Sequence, residues 1–114
     1  MTARGHPRAI FNRAIERDNL AVAETTAREM GRITLVEALE LTALIALKDR
    51  RRHGPAGARW TRRYLDENAA AGLDDLAFVV GALSALGGPR HAAALAALRG
   101  VATGADAIGA SAQR

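Results

Sequence analysis

The chain has no cysteine, one tryptophan, one tyrosine, two phenylalanines and three prolines in its 114 residues. Without cysteine there is no disulfide, no thiolate metal site and no cysteine nucleophile. With aromatics at 4%, the core has to come from aliphatic side chains. These are chiefly Ala and Leu, which suit closely spaced helices better than a sheet of β-branched and aromatic residues. Long apolar runs are missing too. Runs such as residues 43–47 and 76–86 are well short of the roughly 18–20 residues that span a bilayer. The opening MTARGHPRAIF has no apolar stretch of the signal-peptide kind. A cytoplasmic protein with no membrane span is expected.

What is present has the balance of an ordinary globular domain, with 49% hydrophobic and 25% charged residues. The charge is unevenly spread. The formal net charge is +4, but KDRRRHGPAGARWTRRY, residues 48–64, gathers seven of the sixteen basic residues around one acid, Asp49. The chain's Trp and Tyr lie in the same stretch. Basicity is therefore a local patch and not a property of the whole surface.

Breakers divide the rest into helical segments. Pro7 can open a helix through RAIFNRAIER, Asp18-Asn19 interrupts it, and LAVAETTAREM resumes with Gly31 as a C-terminal cap. Thr34 with Glu37 is a capping box, in which the hydroxyl accepts from the N–H three residues on and the carboxylate reaches back. The helix it opens, LVEALELTALIALK, is apolar nearly all round and is expected to be the most buried. Gly54-Pro55 reads as the next break, which leaves Arg50, Arg51 and Arg52 in a loop. Asp74 and Asp75 suit the first turn of a fifth helix. Gly87-Gly88-Pro89 breaks the chain again before RHAAALAALRG. The expected fold is all-α: about six short helices in three antiparallel hairpins, forming a compact bundle or a short α-solenoid-like array. Residues 1–7 read as an arm, 8–102 as a single domain and 103–114 as a flexible tail.

Shifting the chain by 34 residues superposes Gly54-Pro55 on Gly88-Pro89, Ala58 on Ala92, Ala43 on Ala77, and Leu44-Ile45 on Phe78-Val79. This spacing, with the hairpin AIERDNLAVAETTARE, resembles the tetratricopeptide-type helical-hairpin repeats, although their aromatic and Gly positions are not matched. The resemblance implies an array of stacked helical hairpins over roughly residues 8–102. The Ala- and Arg-rich composition, with Lys48 the lone lysine, is also similar to small α-helical proteins of high-GC bacteria. That likeness implies no activity.

The basic segment is the main candidate site. Arg50, Arg51, Arg52, Arg59, Arg62 and Arg63 could contact phosphates or an acidic partner. Helical spacing puts Trp60 and Tyr64 on the buried side with Ala56, and pairs Arg62 with Asp66 and Arg63 with Glu67 at i,i+4. His6, His53 and His91 lie far apart with no metal-ligand spacing. The hydroxyls sit in no nucleophile motif, GALSALGG has no phosphate-loop Lys-Ser/Thr, and Asp74 and Asp75 are explained by the helix dipole. No enzyme activity, metal, cofactor or small-molecule substrate is expected. The last helix is apolar with only Arg90, His91 and Arg99 to wet it. An exposed face bearing Leu95 and Leu98 is therefore expected to serve self-association or a protein partner. The leading expectation is a non-catalytic binding or scaffolding module. The alternative is a nucleic-acid accessory protein that contacts phosphates through residues 48–63.

Overall fold

The structure, a computed structural model, describes residues 6–112, with side chains through Ala105. These residues form six α-helices and no strand: α1 (Pro7–Glu16), α2 (Leu20–Met30), α3 (Leu35–Lys48), α4 (Arg50–Glu67), α5 (Leu73–Ala85) and α6 (His91–Ala112). The fold is all-α. Among the described residues no helix is long and apolar enough to cross a membrane. By contact the chain divides into two compact units, Met1–Ile33 and Thr34–Arg114, where the sequence pattern predicts one domain over residues 8–102.

The first unit is a helical hairpin. His6 caps α1, its Nδ1 accepting the Arg8 N–H at 3.2 Å, and Pro7 fills the first helical position, where a missing N–H costs nothing. Asp18 takes a left-handed φ of 54° to turn the chain, and Asn19 Oδ1 accepts the Val22 N–H at 3.2 Å to start α2. Phe11 and Ala14 of α1 and Ala23 and Ala27 of α2 are buried. Gly31 ends the hairpin at φ 77°, a conformation that costs glycine little and other residues more.

In the second unit the capping box forms as expected: the Glu37 N–H donates to Thr34 Oγ1 at 3.0 Å and the Thr34 N–H to Glu37 Oε1 at 2.8 Å. α3 buries Leu35, Leu39, Ala43, Leu44, Ile45 and Ala46, more than any other helix, because its apolar positions run nearly all round. It packs against α4 and α6, and α5 packs against the same two, so the four helices close into a ring. Within this unit the arrangement is a bundle and not an open array. Trp60 and Tyr64 enter the core from α4 with Ala56, their rings stacked at 5.7 Å. The Trp60 indole N–H donates to the Leu35 carbonyl at 3.0 Å, and Asn68 Nδ2 donates to the Tyr64 hydroxyl at 3.2 Å. No buried side-chain polar atom among the described residues is left without a hydrogen bond.

Four expectations need correction. Gly54-Pro55 does not break the chain: the corner is the single extended residue Asp49, and α4 begins at Arg50 with Pro55 inside it. Pro55 lies little more than one turn in, so its missing N–H and ring disturb only the first-turn carbonyl of Arg51. The 34-residue correspondence accordingly fails, because Gly54-Pro55 is helical whereas Gly88-Pro89 lies in a turn. Ala43 is buried while its counterpart Ala77 is exposed. α6 does not stop near residue 102. It continues to Ala112, with Ala102 and Ala105 in the core, since Ala at i and i+3 keeps a narrow face toward the bundle. Finally, Leu98 is a fully buried core residue and Leu95 is half-buried against that core, so the expected apolar interface on α6 is internal. Among the described residues α5 carries three exposed large apolar side chains, Leu73 at 81%, Phe78 at 52% and Val80 at 47%, while Val22, Leu47 and Leu65 are single exposed positions on α2, α3 and α4.

Candidate functional site

The six arginines singled out by sequence all lie on α4, and the structure sorts them by what holds them. Arg50 is exposed and lies across the surface to the α5–α6 turn, where its Nη2 donates to the Gly87 carbonyl at 3.0 Å. Arg52 faces Asp49 at 3.8 Å, and Arg63 is paired with Glu67 one turn on. The second expected pair, Arg62 with Asp66, is not made. Arg51, Arg59 and Arg62 are exposed, and their side chains have no ion pair or hydrogen bond among the described residues.

Placing Arg50, Arg51 and Arg52 in the first turn of a helix changes their electrostatics. A helix N-terminus carries partial positive charge, so cations there are unfavourable by about 0.3–1 kcal/mol each when exposed. α4 has no acidic residue in its first turn and no side-chain cap. Asp49, immediately before it, and the Gly87 carbonyl are the anionic and dipolar groups that offset the arrangement. The potential at this end of α4 is strongly positive.

Beside the free arginines runs a groove between α4 and α5. It encloses about 620 Å³, floored by Gly54, Gly57, Ala58 and Thr61 of α4 and walled by Val80, Leu83 and Ser84 of α5, with His53 at one end. The spacing 54, 57, 58, 61 is one helix face, and α4 continues it to the exposed Leu65. On α5 the same face carries Leu73, Ala77, Val80 and Ser84. A Cβ added at Gly54 or Gly57 would meet nothing within 4 Å, so the groove floor is open above both.

The polar groups that line this groove are already committed. Thr61 Oγ1 donates to the Gly57 carbonyl at 2.9 Å and Ser84 Oγ to the Val80 carbonyl at 3.0 Å. His53 Nε2 is 2.8 Å from the Leu83 carbonyl, and its ring lies against Gly87, where an added Cβ would come within 3.0 Å of it. What the groove presents to solvent is therefore apolar surface with an arginine edge.

On the opposite side of the bundle, Arg99 of α6 reaches Glu40 of α3 in a two-point contact, Nε to Oε2 at 2.6 Å and Nη2 to Oε1 at 2.9 Å. The hydrogen bond to Glu40 raises the Arg99 pKa above its usual range, with burial opposing and the Glu40 charge assisting. This pair ties the ring closed and leaves Arg99 out of any binding face. Sequence reasoning missed it because the two residues are 59 apart. It missed the groove because Gly54-Pro55 reads as a break, which hides the small-residue face of α4. No protein-family model, curated protein or solved structure matches the chain.

Proposed function

We propose that the chain is a non-catalytic binding or scaffolding module that engages a protein partner through the α4–α5 groove and its arginine edge. The observation that carries this reading is an open, apolar, helix-lined groove of about 620 Å³ beside three arginines whose side chains have no ion pair or hydrogen bond among the described residues. Several hydroxyls and histidines that could do acid–base or nucleophilic chemistry support it, since they are used in structure. Thr34 caps α3, while Thr26, Thr42, Thr61 and Ser84 each donate to the carbonyl four residues back. His53 and His91 each hold a backbone carbonyl.

Duplex or single-stranded nucleic acid is the competing occupant of the arginines. The buried Trp60–Tyr64 stack weighs against the single-stranded form, because neither ring is accessible to a base. The test is co-purification of the tagged chain from its native cell in parallel with an Ala58→Trp variant, which fills the groove. A protein retained by the parent and lost by the variant is the expected result. Recovery of nucleic acid with both forms, released by raised salt and indifferent to Ala58→Trp, would overturn the reading.

A further inference from the structure

We infer that the α4–α5 groove takes an amphipathic helix with Asp and Glu along its flank, an inference that rests on the docking reading above and specifies the occupant. Three features of the groove select this chemistry. Its floor is shaped by small residues at positions 54, 57, 58 and 61, so a ridge of larger side chains on another helix can settle between α4 and α5 at ordinary interhelical distance, about 8–10 Å. From Gly54 to Thr61 the floor extends seven residue steps, or about 10 Å at about 1.5 Å per residue, the length of about two helical turns.

The second feature is that its polar groups are spent. Small-molecule sites fix their ligands through a few convergent, unpaired polar groups. Here Thr61, Ser84 and His53 are bonded to backbone carbonyls of their own bundle. A ligand recognised by this surface is recognised by apolar shape and by charge at the edge, which describes an amphipathic helix.

Charge is the third feature. By helical register Arg51 and Arg62 flank Ala58 on the outer side of the floor, with Arg59 a further step round. Beyond its first turn the facing helix contributes nothing to oppose them, since residues 76–89 contain no ionisable side chain. Asp66 and Asp74 lie toward the far end, near Leu65 and Leu73, and Asp75 is occupied by the Gly72 N–H at 2.8 Å. The edge nearest Gly54 is thus cationic and is reinforced by the positive end of α4. The same charge disfavours a second copy docked with its two-fold axis across the groove, because that arrangement would set each arginine edge against its own equivalent.

The experiment uses the full chain and three designed 14-residue helical peptides. All share one Leu stripe at i, i+3, i+4, i+7 spacing, with Glu, Gln or Lys on the flanks, and binding is read by fluorescence anisotropy. The expected order is Glu tighter than Gln tighter than Lys, with Glu over Gln by roughly three- to ten-fold at low salt and less at high salt. Arg51→Glu with Arg62→Glu should reverse the order. Ala58→Trp, and independently Ser84→Trp on the opposite wall, should weaken all three peptides at least about ten-fold while helical circular dichroism is retained. Equal binding of the three peptides, failure of the arginine substitutions to change the order, or absence of binding overturns the inference. So does displacement of the Glu peptide by a short DNA duplex that itself ignores Ala58→Trp. If the peptides bind alike while Ala58→Trp still strips a native protein from the tagged chain, the docking reading stands and the acidic-helix inference falls. If Ala58→Trp changes neither, both fall.

Discussion

α5 and α6 are made of the same material, Ala, Leu and Val with few charges, and the bundle treats them oppositely. α6 is touched by three helices, α3, α5 and in part α4, and buries Ala94, Leu98, Ala102 and Ala105. α5 is touched by α4 and α6 and buries Val79 and Leu83, leaving Leu73, Phe78 and Val80 outside. Apolarity alone does not place a helix inside; how much of its circumference its neighbours cover does. α5 keeps part of its circumference uncovered, and on the side of Val80 and Ser84 that uncovered part borders the groove.

The difference can be probed residue by residue. Leu98→Ala should cost about 2–4 kcal/mol in denaturant unfolding, since it empties a site in contact with the whole core. Deleting residues 104–114 removes the buried Ala105 and the end of α6. The melting temperature should drop by several degrees, corresponding to about 1 kcal/mol in a unit of this size. An unchanged melting temperature would mean that the chain past Thr103 contributes nothing to the core. Arg99→Ala should cost about 0.5–1 kcal/mol, the two-point contact with Glu40 being half in solvent, and raised salt should diminish the effect. The smallest change is expected on α5. Phe78→Ser and Leu73→Ser should each stay within about 0.5 kcal/mol of the parent, and a loss approaching that of Leu98→Ala would show that the outer face of α5 is covered.

Much of this was readable without the structure where signals are local. The Thr34–Glu37 box, the Asp18-Asn19 turn, Gly31 as a cap, the inward side of Trp60 and Tyr64 and the Arg63–Glu67 pair all follow from residues within four positions of one another. What was not readable depends on distant partners. Gly54-Pro55 looks like a break because its helix is held by contacts such as Trp60 to Leu35 and His53 to Leu83, 25 and 30 residues away. The Ala and Gly of residues 102–105 look like a tail because their value lies in letting α6 approach the core, which a periodicity of large side chains does not report. The arginines were located correctly but assigned to a loop, and their sorting into bonded and free members is a tertiary fact.

The central claim is that the face used for docking lies between α4 and α5 and not on α6. Amide chemical-shift mapping of the full chain, titrated with the Glu-flanked peptide, tests it most directly. Shifts concentrated on residues 51–65 and 77–84, with Leu95, Leu98 and residues 7–30 unmoved, are the predicted result. Shifts centred on α6 or on the α1–α2 hairpin, with the groove residues silent, would contradict it.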